Sequence, residues 1–496
     1  MFEFVWKDRR NRITLITAIG LSLTLWLVFK AIYAHPYIVF DSYSYIGAAV
    51  QNLKVSVWPT GYSEFLRGFG FFSHSPFWLV TTQYILLTGS FIYFYFSWIM
   101  IFDPGRIARG LVFIGLFCNP LWLYCSNFIL ADAVFISLSV VWITLLFWIV
   151  ARPRTYMFFL QGLLLFLVFT VRYNALYYPV ICLLAMFFSP ARRIWRWSGI
   201  LLPVLAIGLF IGWTCRETKQ ISGTAQFSAF GGWKIANDAL LTYGRVDPSV
   251  IKPVPAEYQR LDSFVRAFYQ SDKDWEDLAY NDGSSGSFFM FNLASPLCRY
   301  FDCEWPYFGT RQWFSMAPLY QSYGVWLIRQ YPGAFCRYFI LPNLGQYFLP
   351  LREVFGSPVP YELHESFGGP YLRKLLGIRN IDIDKKYIAL AGKIAYPYPL
   401  IFTMFHILFI LGLAGFILSR GFHGVSRTMR FCMLMMILLW LCDFGFSVVS
   451  AGIVLRYQLF MSVLELSFGA WMVEYTWVHL DEVDKRKSLH IIPDRS

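Results

Sequence analysis

The sequence predicts an all-α polytopic membrane protein, a bundle of about ten transmembrane helices with a large loop domain on its outer face. Three observations carry this. Of the 496 residues, 57% are hydrophobic and 15% are charged, whereas a soluble globular chain is about half apolar and a quarter charged. Runs of about 20 apolar residues, enough to cross the hydrocarbon core of a bilayer, recur along the chain. The net charge of +12 sits in short basic clusters between those runs. The clusters are Lys7, Arg9, Arg10 and Arg12; Arg106 and Arg109; Arg152 and Arg154; Arg192, Arg193 and Arg196; Arg420, Arg427 and Arg430; and Lys485, Arg486 and Lys487. This is the positive-inside pattern, which assigns the basic excess to cytoplasmic loops and not to a nucleic-acid surface. No nucleic-acid partner is expected; membrane lipids are.

The first run covers 13–34. Its basic flank looks like the start of a signal peptide, but no small-residue cleavage site follows, so an uncleaved helix is expected. Further spans are predicted near 77–101, 110–126, 128–150, 156–171, 174–189, 199–215, 397–419, 430–454 and 458–478. An even count puts both termini in the cytoplasm, on the side of every basic cluster. Three parts follow: a membrane module 1–215 containing the first outer loop 35–76, a loop domain 216–396, and a membrane module with tail 397–496.

The segment 216–396 is rich in Gly, Pro and polar residues. Within it Leu261, Phe264, Val265 and Phe268 are spaced for one face of a short amphipathic helix. The stretch 325–350 is apolar but interrupted by Pro332, Pro342 and Pro350, so interfacial helices are expected and not a span. The nine cysteines show no zinc-site spacing. Cys298 and Cys303 lie in the loop domain, where an oxidising side would leave a disulfide open to them. His35 and His74 bracket the first outer loop with too few companions to hold a metal, and no metal or other cofactor is expected.

Ionisable residues in or beside membrane spans are costly, which makes them functional candidates. Four map to one depth. Asp41 follows the first span, and Asp132 is expected about one turn into the fourth, from its outer end. Arg172 falls at the outer turn between spans five and six, and Arg456 at that between nine and ten. Singly each has an ordinary explanation: a helix cap for Asp41, a snorkelling anchor for each arginine, an ion pair for Asp132. Together they suggest transfer chemistry at a membrane surface. A carboxylate can deprotonate an acceptor hydroxyl, and an arginine can hold a phosphate as it leaves. His406 reads as hydrogen-bonded within the bundle, and Asp443 and Glu465 are expected to find polar partners inside it.

At these residues the sequence resembles the GT-C superfamily of integral-membrane glycosyltransferases, close to the bacterial protein-mannosyltransferase and aminoarabinose-transferase group. The resemblance covers roughly 13–215 and 397–478. It rests on Asp41 at the first exit, Trp58-Pro59-Thr60-Gly61-Tyr62 leading to Gln83, Asn119-Pro120 with Ile129-Leu130-Ala131-Asp132, Arg172, and Arg456-Tyr457. It implies a polyprenyl-phosphate sugar donor, inverting transfer, Asp41 as catalytic base, and Arg172 or Arg456 on the donor phosphate. It also implies a periplasmic outer face and a bacterial inner membrane. The chain departs from the family in having one acid, not an adjacent pair, in its first outer loop. The acceptor is unassigned.

Other substrate contacts are expected from Asp132, Tyr45, Tyr62, Tyr173 and Tyr457. With Tyr43, Trp58, Trp305 and Tyr307, Tyr45 and Tyr62 also read as an interfacial aromatic belt. Trp233 follows Gly231-Gly232, which permit close backbone approach, and it is expected to offer a face to a sugar or to lie in an ordinary loop. The competing functions are a flippase or transporter of a lipid-linked saccharide, an oligosaccharide polymerase or ligase, and a membrane acyltransferase built on His406.

Overall fold

The computed structural model describes residues 2–272, 274–280, 286–287, 289–301, 310–351, 369–378, 385–450 and 452–490. Among them the regular structure is helical, with two isolated bridges, Tyr37 to Phe128 and Leu351 to Val454. This follows from the solvent. In hydrocarbon every backbone N–H and C=O must be satisfied within its own segment, and an α-helix does that. Seven helices or helix pairs are long and apolar enough to cross a membrane: Arg9–Ile32, Pro76–Phe102, Arg106–Asn127, Asp132–Ala151, Arg193–Ser222, Ala389–Leu418 and Arg427–Ser450.

In chain order the helices that position the site are α1 (Arg9–Ile32), α2 (Phe40–Gln51), α3 (Gly61–Gly70), α4 (Pro76–Phe102), α5 (Arg106–Phe117), α6 (Leu121–Asn127), α7 (Asp132–Ala151), α8 (Thr155–Val171) and α9 (Tyr178–Phe188). They continue with α10 (Arg193–Ser222), α11 (Ala229–Tyr243), α12 (Gln259–Ser271), α13 (Thr310–Gln330), α14 (Leu341–Phe348), α15 (Gly369–Leu376), α16 (Lys385–Ala395), α17 (Tyr398–Leu418), α18 (Arg427–Ser450) and α19 (Leu459–His490). The start of α4 shows how the sequence sets an end. Pro76 needs no hydrogen-bond acceptor at the first helical position, and Ser75 Oγ accepts from the Trp78 N–H.

Two expected spans differ at their ends. The run 110–126 is interrupted between α5 and α6. Pro120 has no N–H to give, and Asn119 Oδ1 takes the Leu121 N–H at 3.0 Å. The run 128–150 becomes helical only at Asp132, because the residues before it pair with the first loop instead. Tyr37 N donates to Asn127 O at 2.8 Å, and Ile129 N donates to Tyr37 O at 3.0 Å. Asp132 therefore opens α7 and does not lie a turn inside it.

The stretch 325–350 is broken as its prolines require. After α13 come a short helix Pro332–Phe335, a π-helical turn Cys336–Ile340 and α14. None of these is among the candidate spans. α14 inserts against the C-terminal helices: Tyr347 is fully buried, its OH donates to Asp443 Oδ2 at 3.1 Å, and its carbonyl accepts from Gln458 Nε2 at 2.6 Å.

A second apolar core lies within 216–396, formed by α11, α12 and α13 around Trp233, Trp313, Tyr320 and Tyr323. In α12, Leu261, Val265 and Phe268 are buried as their spacing predicts, while Phe264 stays exposed. Asp262, on the buried face, accepts from Tyr243 OH at 3.0 Å and Tyr323 OH at 2.9 Å and pairs with Arg266. α11 and α13 meet backbone to backbone at Gly232, where a Cβ would come 2.3 Å from the Ala317 carbonyl oxygen. Gly232→Ala is expected to force these helices apart and to destabilise this unit by about 1–3 kcal/mol. Hydrogen exchange that rises in α11 and α13 but not in α7 would show it.

Candidate functional site

The first loop re-enters helix at α2. Val39 is its N-cap, and the Val39 N–H donates to Ser42 Oγ at 3.0 Å. Asp41 is thus free of capping duty; it lies in the first turn, where the helix dipole favours negative charge. Its carboxylate lies 3.5 Å from Arg456 Nη2. Arg456 sits in the one-turn helix Leu455–Gln458, which is held by the Val454 bridge to Leu351 on one side and runs into α19 on the other.

Asp132 and Arg172 form the second ion pair. Asp132 stands at the N-terminus of α7, and Arg172 is the extended residue that ends α8 (φ −149°, ψ 131°), so two helix ends meet through their side chains. The Arg172 guanidinium carbon lies 5.1 Å from the Tyr457 ring centroid, and that of Arg456 lies 5.3 Å from it. Tyr457 therefore holds both cations through one π face system. Phe135 lies 5.6 Å from Arg172 as well. All four predicted charged residues come together, joined as Asp41 with Arg456 and Asp132 with Arg172.

The pairs differ in exposure. Asp132 and Arg172 side chains are 6% and 17% exposed, whereas Asp41 is 24% exposed beside an Arg456 that is 10% exposed. Burial pushes the Asp41 carboxyl above the 3.8 of an ordinary aspartate; Arg456 pulls it back, Asp132 adds to the rise, and Arg172 opposes it. Tyr45 lies in the same group. Burial first, then the Asp41 charge, pushes its hydroxyl upward, so it stays a neutral donor.

Behind the charges is a supporting layer. Tyr45 stands edge-on to Tyr62, with ring centroids 5.0 Å apart. Tyr62 is fully buried, and its OH donates to Gln83 Oε1 at 2.7 Å. Gln83 Nε2 donates in turn to the carbonyls of Ser126 and Phe128 at 2.8 and 2.9 Å. At Gly61 a Cβ would meet the Thr170 carbonyl carbon at 2.5 Å, so the start of α3 packs on the backbone just ahead of Arg172. Tyr62 thus supports the site from within the core and does not face a substrate.

Two other expected contacts also lie elsewhere. Trp233 is fully buried in α11, stacked on Trp313 at 4.1 Å, and its Nε1 donates to the Trp313 carbonyl at 3.1 Å. No ring face remains for a sugar. Tyr173 packs against Phe227 at 4.3 Å and Phe169 at 5.5 Å, and so joins α8 to the chain before α11. His74 Nδ1 is 2.9 Å from the Leu375 carbonyl. Among the described residues no group of three or more His, Cys, Asp or Glu can hold a metal. Cys303, Trp305 and Tyr307 lie outside the described residues.

A further polar set lies inside the bundle. Asp443 accepts from Tyr177 OH at 2.8 Å as well as from Tyr347, and Glu465 accepts from Trp440 Nε1 at 2.9 Å with His406 Nδ1 also at 2.9 Å. The two acids and the histidine were visible in the sequence. The tyrosines were not, because nothing marks a partner that arrives from a distant, proline-broken segment.

The fold and the site define a helical membrane protein with a paired acid–arginine cluster where its membrane helices meet the 216–396 segment. No protein-family model, curated protein or solved structure matches the chain.

Asp132→Asn would leave Arg172 buried without its counter-charge. A loss of about 3–5 kcal/mol is expected for breaking such a pair. Adding Arg172→Gln should restore part of the lost stability. A thermal-unfolding double-mutant cycle in detergent reads both.

Proposed function

We propose that the protein is a GT-C-type glycosyltransferase that moves a sugar from a polyprenyl-phosphate carrier to an acceptor at the outer face of the membrane. The observation that supports this most is the contrast between the two ion pairs. Asp132 and Arg172 are nearly sealed and hold helix ends in place. Asp41 and Arg456 are 3.5 Å apart, and Asp41 remains partly open to solvent. A carboxylate and a guanidinium side by side at a membrane surface suit opposite ends of one displacement.

In this reading Asp41 takes the proton of the acceptor hydroxyl as its oxygen attacks the anomeric carbon. The bond from that carbon to the phosphate oxygen breaks, and the polyprenyl phosphate leaves with the electron pair. Arg456 leaves Asp41 for the phosphate and offsets its growing charge. Tyr457 keeps Arg172 against Asp132 and stays under the Arg456 guanidinium as it shifts. Attack opposite the leaving group inverts the anomeric centre.

The seven candidate spans, with the shorter apolar helices Thr155–Val171 and Tyr173–Phe188 and the last helix Leu459–His490, make up a ten-span arrangement. With both termini cytoplasmic, the 216–396 segment and the charge cluster face the periplasm of a bacterial inner membrane.

The test is incubation with a labelled polyprenyl-phosphate sugar. A transferase releases free carrier phosphate, and a flippase does not. Asp41→Asn is expected to abolish release, with an unchanged size-exclusion profile; a fully active variant would remove Asp41 from the mechanism. The pH profile gives a second check. The base form of Asp41 is lost as pH falls, and burial sets that loss above 3.8. Arg456 favours the ionised form, so Arg456→Gln should move the acid limb of kcat/KM to higher pH.

A further inference from the structure

Lys30 lies within α1, one turn from its end, in a candidate membrane span. Lysines at such positions ordinarily extend their ammonium to the interface. This one is 6% exposed and turns inward. Its Nζ donates to Asn127 Oδ1 at 2.9 Å and lies 5.8 and 5.9 Å from the ring centroids of Trp26 and Phe77. Among the described residues no carboxylate lies within ion-pair distance of it, whereas Arg172 and Arg456 each have one.

The surroundings are built and not incidental. Asn127 is held from both ends: its Nδ2 donates to the His35 carbonyl at 3.1 Å, and its own carbonyl accepts from Tyr37 N at 2.8 Å. That fixes its oxygen toward Lys30. An ammonium has three donors, and Asn127 uses one. Tyr37, 3% exposed and attached to the same residue through its backbone, has a buried hydroxyl with no hydrogen-bond partner. The ammonium thus keeps two donors to spare, and among the described residues its positive charge is unmatched.

The charge asks for an anion, and the position says how it arrives. Leu27, one turn before Lys30 on α1, and Trp78, next to Phe77 on α4, present apolar surface, each more than half exposed. An anion carried there is attached to an acyl or prenyl chain, and a phosphate ester offers several oxygens for the ammonium's spare donors. We propose that Lys30, held in place by Asn127, is a receptor for the phosphate group of a membrane lipid, in the seam between α1 and α4. It is separate from the Asp41–Arg456 pair and does not rest on glycosyl transfer.

The test is native mass spectrometry of the delipidated full chain in neutral detergent, titrated with dioleoyl phosphatidic acid, dioleoylglycerol or inorganic phosphate. Phosphatidic acid is expected to bind saturably, with affinity about tenfold or more weaker in Lys30→Met, the size of losing one hydrogen bond to a charged group. Dioleoylglycerol should not distinguish the two proteins, and Lys30→Met should weaken phosphatidic acid binding by the same factor with and without Arg456→Gln. Lys30→Met removes an unmatched buried charge, so its thermal midpoint without lipid should not fall. Lys30→Gln serves as a second neutral variant if it does. Equal binding by the lysine variants and the unaltered chain would overturn the proposal. Equal Lys30-dependent binding of inorganic phosphate would overturn the lipid as the source, and a Lys30→Met effect that disappears in the Arg456→Gln background would overturn the separateness of the site.

Discussion

A charge at the rim of an apolar bundle is costly unless its opposite is supplied on the spot, and the Asp132–Arg172 pair is where this protein meets that condition most fully. Leaving either group alone in such surroundings costs several kcal/mol, so the pair keeps the start of α7 against the end of α8. Other contacts are arranged around that junction. Gly61 lets the start of α3 lie on Thr170. Gln83 pins the carbonyls of Ser126 and Phe128, which lead into Asp132. Tyr457 ties Arg172 to Arg456. With one acid–base pair committed to architecture, the neighbouring one is left with a longer contact and an opening to water.

The membrane helices were legible because hydrocarbon imposes one rule on every segment that crosses it, and composition records that rule directly. The interruptions were less so. Pro120 announces a break, but Phe128 to Leu130 read as helix because apolar residues look alike in a helix and in an extended stretch. Their partner, the backbone of Tyr37, is far away in sequence. The four charged residues were legible for the same reason as the helices, since such groups are too costly to place at random. How they pair was not. Trp233 shows the limit most plainly. A tryptophan after two glycines has the same local sequence whether it faces a sugar or a helix, and what decides is Trp313, 80 residues on.

The polar set inside the bundle shows a different use of the same physics. Glu465 with His406 and Trp440 links α17, α18 and α19, while Asp443 draws hydroxyls from Tyr177 and Tyr347. These contacts join pieces that apolar packing alone would leave free to slide. Lipid tails compete with any greasy surface, but they offer nothing to a carboxylate. Direction and register in this half of the protein therefore come from its few buried acids.

Tyr347 carries that logic into the history of the molecule. Its two polar partners, Asp443 and Gln458, are 96 and 111 residues further along the chain. When α14 leaves the ribosome, the helices that receive it have not been made. The segment must wait at the membrane surface, with its aromatic side chains uncovered, until the last helices arrive. The last two helices thus act as a clasp, and a protein truncated before α18 would keep Asp41 yet lack both Arg456 and the anchor for α14. The arrival of α18 and α19 completes the charge cluster and seats α14 together.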